Sequence, residues 1–235
     1  VLTPPRIYEE ELLDAGVGTD DDVAENLGDL RRVNRWLGGT RVVLKALDRE
    51  IGAYGLDQFS LLDVGTGSAD IPQAILAWSD RQKISATVFA ADISERNLRV
   101  ARVKLGTDPR TQMVQANGLQ LPFAPKTFDF VTASLFLHHF TDEDVVILLN
   151  SFGRLARKAV IVNDLVRNLV PYYFARLTGP VLATSYMTRN DAPLSVLRGF
   201  TAAELTSMAD AASLENVAIS RVFPFRLMLV ASMTG

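Results

Sequence analysis

The stretch LLDVGTGSADIP, Leu61 to Pro72, decides the fold. Ser60 to Val64 is a short apolar run that stops at Gly65 and Gly67, so it reads as a buried strand. Ile71, Ala74, Ile75 and Trp78 then recur at the spacing of an amphipathic helix. Strand, glycine turn and helix in that order suit a nucleotide-binding loop, because ligands of open parallel sheets bind outside the carboxyl ends of the strands. The glycines can also serve only the tight turn.

Outward from this loop the chain keeps alternating. Ala86 to Ala91, Thr111 to Gln115, Phe128 to Ser134 and Ala159 to Val162 read as further strands. Between them lie helices capped by Ser94 and Thr141. Parallel strands need crossovers, so the sheet is mostly parallel with helices on both faces. Thr201 to Glu204 forms a capping box, and its helix is followed by Asn216 to Val222 and Phe225 to Ser232. Only Phe223-Pro224 joins these two runs, which permits a hairpin and forbids a crossover. The predicted fold is α/β, a Rossmann-like, doubly wound, mostly parallel seven-stranded sheet ending in an antiparallel hairpin, with an N-terminal helical cap.

Upstream, residues 1–19 look like a loose lead-in. A helix opens at Asp20-Asp21-Asp22, carries Val23, Leu27, Leu30 and Leu37, and ends at Gly38-Gly39. A second helix places Val43, Leu47 and Ile51 on one face. The chain divides into a cap over 1–55 and a ligand-binding domain over 56–235, with a hydrophobic, lid-like insertion at about 166–198. Leu169 to Met187 is the most apolar segment, but Arg176 and Gly179-Pro180 interrupt it, so no membrane span is expected.

The 235 residues are 48% hydrophobic and 22% charged, an ordinary globular composition. A net charge of -3 disfavours nucleic acid as a partner. The absence of cysteine removes disulfides and thiolate metal sites, and it fits a reducing, cytoplasmic setting. The acidic, proline-containing N-terminal stretch is unlike a signal peptide. No metal constellation stands out, since Asp142, Glu143 and Asp144 sit at a helix start.

The ligand follows from charge. A dinucleotide loop wants glycine or alanine at position 70, where this chain has Asp70, and Asp63 precedes the loop. Two carboxylates are hostile to a pyrophosphate and suit a cation such as S-adenosylmethionine (SAM), with its sulfonium and ammonium groups. Asp92, at the end of the second strand, can accept from both ribose hydroxyls, or it can cap the following helix.

Three segments together resemble the class I SAM-dependent methyltransferases: Leu61 to Pro72, Phe89 to Ser94, and NGLQLPFAPKTFDFVTASLFLHHF, Asn117 to Phe140. The last resembles the branch that includes the ubiquinone and menaquinone C-methyltransferases. The flanks DLRRVNRWLGG, DAPLSVLRGF and FPFR are similar to methyltransferases of bacterial secondary metabolism, including aromatic polyketide pathways. The resemblance implies that the Asp63, Gly65, Thr66 and Gly67 loop meets the methionine part, that Asp92 binds ribose, and that Ile93 packs on adenine. It sets Asn117 and Gly118 at the adenine edge and Ser134 near the methionine part. Ala69 stands for the family's third glycine and Asn117 for its usual acid.

The implied function is methyl transfer from SAM to a small, largely apolar acceptor, aromatic, polyketide or quinone-like. A hydroxyl acceptor needs a base, and the only histidines are His138 and His139. His139 is preferred, although either can simply pack or cap a helix. Arg31, Arg32, Arg35 and Arg198 could meet a carboxylate or be solvated. Tyr172, Tyr173, Phe174 and Tyr186 could cover the acceptor or fill the core. The competing functions are a nicotinamide-dependent oxidoreductase, a nucleic-acid methyltransferase, and a SAM-binding protein without catalysis.

Overall fold

The computed structural model describes residues 2–233. Seven strands form one sheet: β1 (Gln58–Val64), β2 (Ser85–Asp92), β3 (Thr111–Gln115), β4 (Phe128–Ser134), β5 (Ala156–Leu165), β6 (Val217–Val222) and β7 (Arg226–Ser232). Their order is β3-β2-β1-β4-β5-β7-β6. The first five are parallel, and β7 runs antiparallel to both β5 and β6. The predicted alternation and terminal hairpin are therefore both present. β7 starts at Arg226 because Phe225 takes a left-handed φ of 63° in the tight turn.

Apolar side chains cover both faces of the sheet. On one face α5 (Asp142–Leu155) and α8 (Ala202–Ala211) bury Leu148, Phe152 and Leu205 against Val131 and Val160. On the other α2 (Gly39–Tyr54), α3 (Asp70–Gln82) and α4 (Glu95–Leu105) bury Leu47, Ile75 and Ala101 against Phe130 and Ile161. Parallel register brings Val64, Ala91 and Ala133 side by side, so the loops after β1, β2 and β4 meet at one edge.

α1 (Asp20–Trp36) is fixed at its start by a capping box between Thr19 and Asp22. It packs on α2, α4 and α7 (Tyr186–Arg198). The lead-in contains no helix or strand, but it is not loose. It lies across the loop edge as a strap. Leu12 N and Leu13 N donate to the buried Asp191 carboxylate at 3.0 and 3.3 Å, and Ile7 N donates to Leu197 O. Arg6 pairs with Asp142. The apolar segment after β5 forms α6 (Leu169–Leu182), which leaves Val170, Tyr173, Leu177 and Val181 exposed. Among the described residues no helix is long and apolar enough to cross a membrane.

Candidate active site

The loop after β1 turns on left-handed residues: Gly65 (φ 70°), Gly67 (φ 53°) and Ala69 (φ 58°). Gly65 is needed for a second reason. A Cβ there would lie 2.1 Å from the Phe136 ring, and one at Gly118 would lie 2.9 Å from it. Phe136 thus forms a floor between the β1 loop and the turn after β3. Ala69 carries its left-handed strain while burying its methyl completely. Relief of about 1–2 kcal/mol on reverting to glycine is offset by a lost buried methyl of about 0.8 kcal/mol and a looser unfolded chain. The substitution is therefore tolerated.

Asp63 lies beneath this loop. Its carboxylate accepts from Thr66 Oγ1 at 2.7 Å and from Thr132 Oγ1 at 2.8 Å. Burial pushes its pKa up to about 7, the two hydroxyls pull down, and the neighbouring charges of Asp70 and Asp92 push up. Asp92 accepts from Gly67 N at 2.8 Å, Ser94 N at 2.9 Å and Asn97 Nδ2 at 3.2 Å. Burial raises its pKa as well, against those hydrogen bonds. It therefore does cap the next turn, and it also ties that turn to the glycine loop.

A cavity of about 800 Å³ opens over the strand ends. All nine residues named for the cofactor, Asp63, Gly65, Thr66, Gly67, Asp92, Ile93, Asn117, Gly118 and Ser134, line it. Ile93 offers an apolar surface, 64% exposed. The Asn117 amide oxygen is already used, accepting from Leu119 N at 3.0 Å. The donor set fits a cationic nucleoside, with Asp63, Asp70 and Asp92 around the loop where a pyrophosphate would otherwise lie. Of the first-helix arginines only Arg31 reaches the cavity; Arg32 pairs with Asp29, and Arg35 is exposed.

The two histidines part company. His138 is buried and outside the cavity lining; its Nδ1 lies 2.7 Å from Asp164 Oδ1. That contact holds it against the end of β5. His139 lines the cavity, and its Nδ1 lies 2.6 Å from Asp14 Oδ2 on the strap. Burial lowers the His139 pKa, but Asp14 and Glu11 outweigh burial and Arg198 and lift it to about 9. Arg198 is buried and donates to His138 O, His139 O and Glu9 O at 3.0, 2.7 and 2.6 Å, locking the strap to the histidine turn.

Glu11, His138 and His139 bring ligand-type atoms within 4.8 Å of one another. Glu11 is far away in sequence, so spacing could not reveal the cluster. Its carboxylate is met from within the fold, by Ser195 Oγ at 2.8 Å and Arg198 Nε at 3.9 Å.

The lid expected from residues 169–187 does not line the cavity. The strap does, through Tyr8, Leu13 and Asp14, together with Val23, Leu27 and Leu30 of α1. Composition hid this, because the strap is held through backbone groups and scattered polar side chains rather than by an apolar face.

A methyltransferase-domain family model matches residues 62–162. The demethylmenaquinone methyltransferase of Shouchella clausii (strain KSM-K16) is 28% identical over 179 residues, 70% of each chain. The methyltransferase GfsG of Streptomyces halstedii is 34% identical over 43% of this chain and 38% of its own. Human N-acetylserotonin methyltransferase, solved with SAM, superposes with a TM-score of 0.68 at 13% identity, covering 98% of this chain and 63% of that one. Magnesium protoporphyrin IX methyltransferase from Synechocystis PCC 6803, solved with S-adenosylhomocysteine (SAH), gives 0.59 at 17% identity, covering 84% of both. These two structures share the fold. Loop, sheet order and relatives agree: residues 62–162 match a methyltransferase domain, and the chain has the fold of the class I SAM-dependent methyltransferases.

Proposed function

We propose that the cavity binds SAM and that the chain methylates a compact, hydroxyl-bearing apolar acceptor of aromatic, quinol or polyketide type. The observation that carries this reading is that the nine cofactor candidates and His139 line one cavity. In it Asp92 takes the ribose, Ile93 the adenine face and Asn117 the adenine edge. Asp63 and Asp70 face the cationic methionine part, and Arg31 meets its carboxylate. The relative from Shouchella clausii, named for a demethylmenaquinone, favours a quinol-like acceptor.

When bound, SAM supplies an electrophilic methyl group on sulfur. The protein's tasks are then positioning, exclusion of water and removal of one proton. The strap and α1 cover the cavity. Phe136, Phe140 and Leu27 give its wall an apolar surface for the acceptor. His139 Nε2 takes the hydroxyl proton; the O–H electron pair stays on oxygen and would form the new bond to the methyl carbon as the C–S bond breaks, its electron pair leaving with sulfur as the neutral thioether. At neutral pH the ring already holds both protons, since its pKa is about 9. One proton must therefore leave the histidine–hydroxyl pair before methyl transfer, and the rate rises with pH up to about 9.

Incubation with labelled SAM and a panel of phenols, naphthohydroquinones and aromatic polyketides, read by mass spectrometry, tests this. A mass gain of one methyl on a hydroxylated aromatic is the expected result. SAM binding with no turnover on any member would instead favour a SAM-binding protein without catalysis.

A further inference from the structure

We propose that Asp14, carried on the N-terminal strap, is the positioning residue that orients His139 toward the acceptor, so that docking of the strap completes the base. This rests on the reading of His139 given above.

The geometry is specific. Asp14 and His139 are 125 residues apart in sequence, yet Asp14 Oδ2 lies 2.6 Å from His139 Nδ1 and both side chains line the cavity. A carboxylate on Nδ1 keeps that nitrogen protonated and leaves Nε2 as the accepting atom. Among the described residues nothing hydrogen-bonds His139 Nε2.

The strap cannot place Asp14 by itself, because it has no helix or strand. Its anchors on α7 include the Asp191 carboxylate on Leu12 N and Leu13 N, Arg198 Nη1 on Glu9 O, Leu197 O on Ile7 N, and Ser195 Oγ on the Glu11 carboxylate. Arg198 also holds the His139 carbonyl, so one guanidinium sets both halves of the pair. A strap that lifts to admit ligand would carry Asp14 away and leave His139 unoriented.

Other charges face the ring. Glu11 from the strap favours the imidazolium, as does Asp164 of β5, and Arg198 of α7 opposes it. His138 stacks beside it at 4.2 Å between centroids, and Asp92 of β2 interacts from across the cavity. Asp14 is the one with a direct hydrogen bond to the ring. Burial pushes its own pKa up, but the bond to His139 and the charges of His139 and Arg198 hold it below the ordinary carboxylate value.

The chain has two histidines, so proton NMR can follow both through a pH titration, with His139→Gln assigning the signals. In the wild type His139 should titrate near pH 9. In Asp14→Asn its midpoint should fall by about one pH unit or more, with Asp14→Glu restoring most of the shift. SAH affinity, measured by calorimetry, should stay within about twofold in both variants, which shows the fold is intact. An unchanged His139 midpoint in Asp14→Asn overturns the positioning role. A shifted midpoint combined with full methyl-transfer activity in His139→Gln overturns instead the reading on which it rests.

Discussion

Two residues carry most of what the cofactor loop can report. Asp63 has a folded-state pKa of about 7, above its ordinary value, so the carboxyl is neutral below that pH. In the unliganded protein, stability is lost as pH rises from the unfolded carboxylate range toward 7, because ionising the buried group has a cost. A bound cation reverses the preference. SAM affinity should therefore increase as pH rises through 7, with proton release on binding below it. SAH has lost the sulfonium charge and should respond less. Calorimetry near pH 6 and 8, in buffers of different ionisation heat, measures both effects.

Asn117 spends its only amide oxygen capping Leu119. A carboxylate has two oxygens, one for that cap and one for the adenine amino group. Asn117→Asp should tighten SAM binding several-fold, a gain of about 1 kcal/mol. A loss of affinity in a folded variant would show that this side chain faces something other than adenine.

At the scale of elements, the strands were the most legible part of the chain. β3 and β4 begin and end where their apolar runs do. β5 runs on through Asn163 and Asp164, which look like loop residues until their partners, Ser134 and the buried His138, are seen. The nine residues named for the cofactor cluster at strand ends, which are local in sequence, and they line one cavity. The strap was not readable. Its anchors pair backbone atoms with α7 across some 180 residues, and neither composition nor period records such pairing. The apolar stretch of α6 misled in the opposite direction, since it lies outside the cavity lining. Removal of residues 1–16 takes away Asp14 and much of the cover but none of the nine cofactor positions. Methyl transfer should fall by about 10²-fold or more, while SAH affinity changes by less than about tenfold. Equal losses in both would mean that the strap supports the whole cavity rather than the acceptor end.

For the molecule as a whole, the sheet order brings the loops after β1, β2 and β4 to one edge, and the cavity lies there. The proposed activity needs SAM at that edge with its ribose on Asp92. The most direct measurement is calorimetric titration of SAM into the wild type and Asp92→Ala, with NAD as the competing ligand. The account predicts binding of SAM and no binding of NAD. It also predicts a loss of about 10- to 150-fold in Asp92→Ala, the equivalent of one charge-assisted hydrogen bond of about 1.5–3 kcal/mol. Unchanged SAM affinity in a folded Asp92→Ala protein, or preference for NAD, would contradict it.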